Sequence, residues 1–471
     1  MPLESDNQGG PTMSIQAVNP ATGEIIETLE ETSPAETEQI LTRAHAAFLE
    51  WRTRPFGERA ALMREAARVL RRRRGEYALT MTREMGKPIV QAEAEIDKCA
   101  ATCDYYAQHA EAFLSPQLRE TEAAKSYVRF DPLGVVLAVM PWNFPFWQVF
   151  RFAAPALMAG NAGLLKHASN VPRSALHIEA VFREAGFPDG LFRTVLVGSR
   201  AVAPLIDDPR IVAVTLTGSE HAGIAVAERA GRNLKKTVLE LGGSDPFIVL
   251  ADADLPAAAR AAADARLINS GQSCIAAKRF IVVEAVADRF IERFKTELAG
   301  HRMGDPTARD TQVGPQARED LRDQLHRQVE ESIKRGAQPV LGGKIPAGKG
   351  AFYPPTLLAA VDRGMPAFDE ETFGPVAAVV RAKDEADAIR LANDSPYGLG
   401  AALWTKDRAR AERLAAEIEA GAIFVNSVVK SDARLPFGGI KRSGYGRELS
   451  AAGMREFLNA KTVVIAAARP L

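Results

Sequence analysis

Hydrophobic and polar positions divide the chain into a helical first quarter and two later stretches in which short apolar runs alternate with helices. From Pro34 to about Phe113, alanine-rich segments carry Leu, Phe and Val at helical spacing between charged residues. Near Thr121 this pattern ends, and Ala124–Phe130 predicts a strand that stops at a Pro132-Leu-Gly134 turn. We therefore expect helices to precede the first sheet.

The next stretch alternates between strand-like and helical patterns. The predicted strands are Val135–Met140, Ala162–Leu165, Thr194–Val197 and Val212–Leu216, and the predicted helices are Ser174–Ala185 and Ala201–Ile206. Such alternation predicts a parallel, doubly wound sheet with helices on both faces. Sheets of this kind bind nucleotides beyond the carboxyl ends of their strands.

A second alternation begins after Gly243 and predicts a second α/β domain from about Ser244 to about Ile440. Its predicted strands are Pro246–Leu250, Arg279–Val283, Val376–Val380 and Ala422–Val425. Its predicted helices are Leu255–Asn269, Val286–Leu298, Ala317–Arg335 and Glu385–Asn393. A short final strand is predicted over Thr462–Ala466.

Composition excludes several classes of protein. The 471 residues carry 59 basic and 59 acidic side chains, and this zero net charge argues against a general nucleic-acid or membrane-surface binder. Three cysteines cannot form a disulfide framework, and their scarcity indicates a reducing compartment. A hydrophobic content of 46% with 25% charged residues is typical of a globular protein.

The chain shows no sign of a targeting segment or a membrane span. Its first dozen residues lack an apolar run and are expected to be a disordered lead-in. The most apolar long stretch, Gly134–Leu165, is interrupted by prolines and asparagines, whereas a spanning helix needs about 20 mostly apolar residues. We expect a soluble cytoplasmic protein with no membrane and no nucleic-acid partner.

Two features favour structural roles over functional ones. Arg71–Arg74 is a basic run that either binds a polyanion or, as its lack of interleaved aromatic residues favours, lies on a solvated helix face. Cys99 and Cys103 lie four residues apart on one helical face, but no second ligand pair has matching spacing. Buried packing is therefore favoured for both cysteines, and no metal site is predicted.

Five patches indicate chemistry, and each has an ordinary structural alternative. Asn143, in Pro141-Trp-Asn-Phe-Pro145, follows an apolar strand and either donates its amide to an oxyanion or forms a turn before proline. Lys166 ends the next strand, where a lysine either reaches ribose and phosphate groups or is simply solvated.

The third patch, Leu216-Thr-Gly-Ser219, precedes a helix and suits either a diphosphate at the helix N-terminus or a plain strand–turn–helix connection. The Gly-x-Gly-x-x-Gly fingerprint is absent from the chain.

The fourth and fifth patches carry a carboxyl and a thiol. Glu240, before two glycines, is either a general base with a pKa raised by burial or a residue at a domain boundary. Cys274, among small polar residues, is either an exposed nucleophile or a buried structural residue. The nearest histidine, His301, shows no sign of acting as its base.

Taken together, the chain resembles the aldehyde dehydrogenase superfamily from about Asn19-Pro-Ala-Thr-Gly23 to its C-terminal strand. The segments that carry the resemblance are Pro141-Trp-Asn-Phe-Pro145, Leu239-Glu-Leu-Gly-Gly243, Gly271-Gln-Ser-Cys274, Glu370-Glu-Thr-Phe-Gly-Pro375 and Pro436-Phe-Gly-Gly-Ile-Lys-Arg-Ser-Gly444. Several multi-residue motifs in the family's order make this resemblance specific. It implies an enzyme that oxidises an aldehyde to a carboxylic acid with NAD or NADP.

The resemblance also implies a role for each residue of the site. Cys274 attacks the aldehyde to form a thiohemiacetal, and the Asn143 amide and the Cys274 backbone N–H hold the oxyanion. After hydride transfer leaves a thioester, Glu240 activates the water that hydrolyses it. Cofactor contacts are expected from Trp142, Lys166, Ser169, Gly218, Ser219, Glu371 and Phe373.

Ser169 bears on the choice of cofactor. Family members that prefer NAD often carry Glu there, and that carboxylate binds the ribose diol and repels a 2′-phosphate. Ser169 provides no such repulsion, and Lys166 adds positive charge nearby. The cofactor is therefore expected to be NADP or NAD, with NADP accepted.

Three further segments resemble the bacterial succinate semialdehyde dehydrogenase branch. They are Leu165-Lys-His-Ala-Ser-Asn-Val, Gly271-Gln-Ser-Cys-Ile-Ala-Ala-Lys-Arg-Phe and Lys430-Ser-Asp-Ala-Arg-Leu-Pro-Phe-Gly-Gly. The distal carboxylate of such a substrate needs a cation, and Arg151, about two helical turns past Asn143, is expected to supply it. Trp147, Ser273 and Ser431 are expected to complete the pocket. The alternatives are glutarate semialdehyde, an aliphatic aldehyde, or a non-catalytic structural member of the fold.

The resemblance implies the family's domain organisation. An α/β Rossmann-type cofactor domain would comprise residues 13–118 and 133–243, and an α/β catalytic domain residues 244–445. Residues 119–132 and 452–471 would form a small β oligomerisation arm. A projecting strand needs a partner that covers it, so a homodimer or homotetramer is expected.

Overall fold

The computed structural model describes residues 14–467, and the lead-in expected for the first dozen residues lies outside this range. Up to residue 243 strands and helices alternate as the sequence predicts, except that an unpredicted hairpin of Ser14–Val18 and Ile25–Glu30 precedes the helices. They are β1 Ser14–Val18, β2 Ile25–Glu30, α1 Pro34–Trp51, α2 Phe56–Arg72, α3 Arg74–Met85, α4 Ile89–Leu114, β3 Gln117–Arg119, β4 Lys125–Pro132, β5 Val135–Met140, α5 Pro145–Met158, β6 Ala162–His167, α6 Pro172–Glu184, β7 Phe192–Thr194, α7 Val202–Asp207, β8 Ile211–Thr217, α8 Glu220–Arg232 and β9 Lys236–Glu240.

A second alternation of strands and helices follows. Its elements are β10 Pro246–Val249, α9 Leu255–Leu267, β11 Arg279–Val283, α10 Glu284–Ala299, α11 Glu319–Lys334, β12 Gln338–Leu341, β13 Thr356–Ala359, α12 Pro366–Asp369, β14 Val376–Ala382, α13 Glu385–Asn393, β15 Gly400–Trp404, α14 Arg408–Ala415, β16 Ala422–Val425, β17 Gly444–Tyr445, α15 Ser450–Arg455 and β18 Leu458–Ile465.

The first large sheet places the site. Its strand order is β17-β9-β8-β5-β6-β7, and every neighbouring pair is parallel except β17 with β9. Strand β5 lies between β6 and β8, so the winding direction reverses there. A crevice therefore forms beyond the carboxyl ends of β5 and β8, where Asn143 and Ser219 follow their strands. The predicted parallel, doubly wound topology is confirmed.

The second large sheet has the order β12-β13-β14-β11-β10-β15-β16, with β12 antiparallel to its neighbour. The sequence did not predict the strand Gly400–Trp404, because its Gly-Ala-Ala start has low β propensity. The strand predicted at Thr194–Val197 is found earlier, at Phe192–Thr194. Gly444 and Tyr445, assigned by sequence to the end of the catalytic domain, pair with Glu240 and Leu239 of the first sheet.

The helical first quarter explains the basic run and the two adjacent cysteines. Cys99 and Cys103 are fully buried on α4, which packs against α2 and α5. The arginines of the run form exposed ion pairs with acidic neighbours, such as Arg71 with Asp104 at 2.5 Å. An exposed pair of this kind stabilises the fold by only about 0–1 kcal/mol. Both features therefore have the structural roles that the sequence favoured.

A small antiparallel sheet of order β18-β4-β3 joins the chain's last strand to the segment before β5. Ser126 pairs with Val464 in it, so the two segments expected to form an arm are hydrogen-bonded to each other. Leu118, Val464 and Ile465 expose 68%, 59% and 48% of their surface. None of the helices within residues 14–467 is long and apolar enough to cross a membrane.

Candidate active site

Asn143 lies in the turn between β5 and α5, at the crevice of the first sheet. Pro145 begins α5, where the missing proline N–H has no helical partner to lose. The buried Asn143 side chain donates from Nδ2 to the carbonyl oxygen of Gln272 at 3.1 Å. Asn269 in turn donates to the Asn143 carbonyl at 2.7 Å. The amide is therefore held against the loop that carries Cys274.

A buried carboxylate fixes the start of α5. Glu95 accepts the backbone N–H groups of Phe146 and Trp147 at 2.9 Å each. Its other oxygen forms a buried ion pair with Lys87, whose ammonium lies 3.8 Å from the centre of the Phe144 ring. No sequence motif indicates this pair, which satisfies free N–H groups at the helix start and thereby positions the Asn143 turn.

Residues 268–278, here named the Cys274 loop, connect α9 to β11 in a strained backbone. Asn269, Ser270 and Gly271 have φ values of 51°, 56° and 77°, three consecutive left-handed conformations. Such conformations cost on the order of 1–3 kcal/mol for each non-glycine residue and persist only where their surroundings impose them. A Cβ on Gly271 would lie 2.2 Å from the carbonyl carbon of Gly374, so only glycine fits there.

Lys278 fixes the second half of this loop. Its buried ammonium donates to the carbonyl oxygens of Ser273, Cys274 and Ala276 at 3.1, 2.8 and 3.2 Å. It also lies 3.5 Å from the carboxylate of Glu371. Ser273, expected in the substrate pocket, is buried in this arrangement and does not line the cavity described below.

Cys274 is half-buried within the loop. Burial raises the pKa of its thiol to about 12, and the nearby cations Arg151 and Lys278 oppose this rise. The resting group is therefore the thiol at neutral pH, and nucleophilic attack needs a base to remove its proton. The Cys274 backbone N–H makes no hydrogen bond to the described residues, which leaves a donor beside the sulfur.

Glu240 ends β9 with its side chain buried. Burial raises its pKa well above the ordinary value, the Glu448 charge raises it further, and Arg151 opposes both. Neither carboxylate oxygen is hydrogen-bonded to the described residues. The Glu240 carbonyl accepts the backbone N–H of Gly218 at 3.0 Å, which ties its strand to the turn before α8. A buried carboxyl of raised pKa that also influences the Cys274 thiol suits a general base.

Arg151, which the sequence predicts to bind the distal carboxylate of the substrate, has several partners within the fold. Its guanidinium is fully buried, forms an ion pair with Glu448, donates to Thr217 Oγ1 at 3.2 Å, and lies 4.7 Å from the Phe437 ring centre. It does not line the cavity beside the Cys274 loop. Burial raises the pKa of the Glu448 carboxyl that it faces, and the Arg151 charge opposes this rise.

A cavity of about 450 Å³ lies beside the Cys274 loop and is here named the Trp147 cavity. Its apolar walls include Phe144, Trp147, Leu267, Ile268, Ile275 and Val428. Lys98 of α4 also lines it and donates to Ser431 Oγ at 2.6 Å. Lys98, which the sequence did not predict, thus contacts both Trp147 and Ser431, although Ser431 itself does not line the cavity.

The expected cofactor residues follow one edge of the first sheet. Lys166 is largely buried at the end of β6, and its ammonium has no hydrogen-bond or ion-pair partner among residues 14–467. Ser219 caps the 13-residue helix α8 by accepting from Ala222 N at 3.3 Å. An unpartnered ammonium and a helix N-terminus at the carboxyl ends of strands of one sheet, with the exposed Ser169 three residues after Lys166, fit the ribose and phosphates of a dinucleotide.

The nicotinamide end is expected beside Glu371 and Phe373. Glu371 accepts the backbone N–H of Gly243 at 3.0 Å. Phe373 meets Trp142 edge to face, with ring centres 5.8 Å apart. Through Lys278, Glu371 is connected to the Cys274 loop, so the same carboxylate contacts both the expected cofactor site and the nucleophile segment.

A sequence profile of the aldehyde dehydrogenase family matches residues 7–463, and the chain belongs to this family. It is 52% identical to a probable succinate-semialdehyde dehydrogenase [NADP(+)] of Synechocystis, over 96% of this chain and all of that protein. It is 50% identical to the succinate-semialdehyde dehydrogenase [NADP(+)] of Mycobacterium avium, over 97% of this chain and 98% of that protein.

Solved structures agree with this assignment. The crystal structure of succinic semialdehyde dehydrogenase from Streptococcus pyogenes in complex with NADP+ has a TM-score of 0.94 at 40% identity, over 96% of this chain and all of the other. A succinate-semialdehyde dehydrogenase from Burkholderia pseudomallei has a TM-score of 0.94 at 33% identity, over 97% of this chain and 95% of the other. The expected family and α/β fold are confirmed.

Proposed function

We propose that the protein oxidises succinate semialdehyde to succinate with NADP, and accepts NAD as well. The observation that carries the proposal is the 50–52% identity over nearly the full length to relatives with that name. The site supports it through a thiol, an amide donor and a buried carboxyl around one loop. The Trp147 cavity beside this loop combines apolar walls with polar and charged groups, among them the Lys98 ammonium.

The chemistry begins at Cys274. Its sulfur forms a bond to the aldehyde carbon while the carbonyl π electrons move to the oxygen, and the thiol proton passes to Glu240. The developing oxyanion accepts hydrogen bonds from Asn143 Nδ2 and the Cys274 N–H, the donor that is otherwise unused. Each such donor is worth about 10²–10³-fold in rate.

Deacylation is assigned to Glu240. Bound NADP or NAD would accept the hydride that converts the thiohemiacetal to a thioester. Glu240, after releasing the first proton to solvent, takes a proton from water, whose oxygen attacks the thioester carbon; the Cys274 thiolate leaves and recovers that proton. The raised pKa of Glu240 brings its proton affinity towards the working pH, which favours transfer in both directions.

The test is a panel of initial rates with succinate semialdehyde, glutarate semialdehyde and butyraldehyde, each with NADP and NAD. We expect the highest kcat/KM for succinate semialdehyde with NADP, and no turnover by Cys274→Ala. A higher kcat/KM for butyraldehyde would refute the substrate assignment, and retained turnover by Cys274→Ala would refute the nucleophile. A preference for glutarate semialdehyde would extend the assignment to a longer ω-oxo acid.

The same proposal includes a homodimer or homotetramer working in the cytoplasm. It is supported by the exposed Leu118, Val464 and Ile465 of the small sheet, which a partner subunit would cover. Val464→Asp is expected to reduce the mass measured by light scattering after size-exclusion chromatography. Leu234→Asp, at an exposed position on another surface, is the control. An unchanged mass in Val464→Asp would remove this face from the interface.

A further inference from the structure

We propose that Gln91 is a positioning residue that holds the Cys274 loop against the Asn143 amide. This inference rests on the proposed function, because it explains how the groups assigned to that oxidation keep their relative places. Gln91 lies in the first turn of α4, where it is half-buried, and no motif in the sequence singles it out.

The side-chain amide of Gln91 connects α4 to the start of the Cys274 loop. Its Oε1 accepts the backbone N–H of Asn269 at 2.7 Å, and its Nε2 donates to the Gln312 carbonyl at 3.2 Å. Since one partner is a donor and the other an acceptor, only one orientation of the amide satisfies both. Asn269 is fully buried, and among residues 14–467 its N–H has no other acceptor.

This hydrogen bond lies where the backbone of the loop is strained. Asn269 is the first of three consecutive residues in the left-handed region, with a φ of 51°. A non-glycine residue keeps such a conformation only where its surroundings impose it. Gln91 supplies that restraint at Asn269, and the Gly314 N–H supplies the next one by donating to Ser270 Oγ at 2.9 Å.

Asn269 transmits the restraint to the oxyanion donor. Its Nδ2 donates to the carbonyl oxygens of Asn143 at 2.7 Å and Gln272 at 3.1 Å. The Asn143 side chain donates to the same Gln272 carbonyl at 3.1 Å. A displacement of the Asn269 backbone would therefore disturb both the Asn143 turn and the segment that precedes Cys274.

The same face of α4 holds the other side of this site. Glu95, four residues after Gln91, accepts two backbone N–H groups at the start of α5. Residues four apart in a helix are neighbours on one face. A single helical turn therefore fixes the Asn143 turn through Glu95 and the Cys274 loop through Gln91, and this sets the spacing between the two.

Gln91 also lines the Trp147 cavity, so a second role has to be separated from the first. A residue that only shapes the cavity wall would change KM for particular aldehydes. A residue that positions the loop acts on the transition state of every aldehyde, so kcat and kcat/KM should fall together. Kinetics with two aldehydes of different polarity distinguish these roles.

The decisive experiment compares Gln91→Leu, which removes both hydrogen bonds, with Gln91→Glu, which keeps an acceptor for Asn269. Gln91→Asn, whose amide is one methylene shorter, is the second disruptive variant. The matched control is Gln312→Leu, since the exposed Gln312 side chain lines the same cavity but accepts only from Arg302 N, at 3.1 Å. Each variant is assayed with succinate semialdehyde and butyraldehyde, and hydrogen–deuterium exchange of the Cys274 loop is followed without substrate.

We expect Gln91→Leu and Gln91→Asn to lower kcat and kcat/KM by about 5- to 30-fold for both aldehydes, the factor given by one buried N–H that loses its acceptor. Exchange at Asn269 should become at least about 5-fold faster in the same variants. Gln91→Glu should retain most of the turnover and of the slow exchange, and Gln312→Leu should leave the exchange unchanged.

Three results would overturn the inference. They are unchanged exchange in Gln91→Leu, equally fast exchange in Gln312→Leu, and a rise in KM for one aldehyde at constant kcat. Failure of the proposed function is recognised separately. A wild type that does not oxidise succinate semialdehyde would refute that substrate, whereas the exchange measurement tests the role of Gln91 without any substrate.

Discussion

Replacing Arg151 by Met should destabilise the protein without changing which aldehyde it prefers. The substitution leaves Glu448 buried without its cation and removes the hydrogen bond to Thr217 and the contact with Phe437. Breaking a buried pair from one side costs about 3–5 kcal/mol. For domains of about 200 residues this corresponds to a fall in apparent Tm on the order of 10 °C.

The loss should depend on pH in a definite direction. Burial raises the pKa of Glu448 above its unfolded value, and removing Arg151 raises it further. A carboxyl group whose pKa is higher in the folded than in the unfolded protein makes its full contribution to stability below the unfolded pKa. This contribution is lost as the pH rises through the folded pKa. Arg151→Met should therefore melt at a lower temperature at pH 8 than at pH 6, by a wider margin than the wild type.

Differential scanning calorimetry at the two pH values measures this effect, and Arg151→Met/Glu448→Gln separates the two partners. The double variant should recover part of the lost Tm and its pH dependence, because it leaves no unpaired charge. In kinetics, kcat/KM should fall by a similar factor for succinate semialdehyde and butyraldehyde, since Arg151 lowers the pKa of both Cys274 and Glu240. A stable variant with a KM increase for the semialdehyde alone would refute this reasoning and restore Arg151 as the clamp.

Other substitutions test the remaining assignments. Glu240→Gln should retain a pre-steady-state burst of reduced cofactor and slow the steady-state rate, because acylation then outpaces hydrolysis; stopped-flow absorbance at the nicotinamide band would show a burst or its absence. Ser169→Glu should raise KM for NADP by at least about 10-fold and spare NAD, as the added carboxylate repels a 2′-phosphate; equal changes would contradict it. Asn143→Ala should lower kcat by about 10²–10³-fold at near-constant KM. Gly271→Ala should yield little folded enzyme, since its Cβ would meet Gly374 backbone at 2.2 Å, and soluble yield and circular dichroism test this.

The sequence predicted those parts of the site whose residues are consecutive in the chain and form short motifs. Cys274 and Asn143 stand in short runs whose glycines, prolines and small polar residues suit only a few backbone conformations. These residue types restrict the backbone locally, as in the left-handed turn before Cys274, so the adjacent residues indicate the chemistry although distant groups such as Glu95 also hold the loops. The alternation of apolar runs likewise predicted four of the seven strands of the second sheet. It missed Gln338–Leu341, Thr356–Ala359 and Gly400–Trp404, the last of which begins with small residues.

Charge partners were not predictable, because they join residues that are distant in the chain. Lys98 and Ser431 are hydrogen-bonded across most of the sequence. The positions around Lys98 show only the periodicity of a buried helix, which carries no information about the loop it faces. Arg151 was placed correctly on its helix, but the spacing from Asn143 could not show that Glu448 would occupy its guanidinium.

The buried cations around the site differ in whether the fold itself supplies a partner for their charge. Most are neutralised within the fold, as Lys87 is by Glu95 and Arg151 by Glu448, or bind backbone carbonyls as Lys278 does. Among residues 14–467, Lys98 and Lys166 do neither. Leaving an ammonium away from water without a carboxylate is unfavourable, so its persistence is best explained by a ligand that completes it. Lys166 lies at the edge of the proposed nucleotide crevice, where the phosphates of a bound dinucleotide would supply its anion.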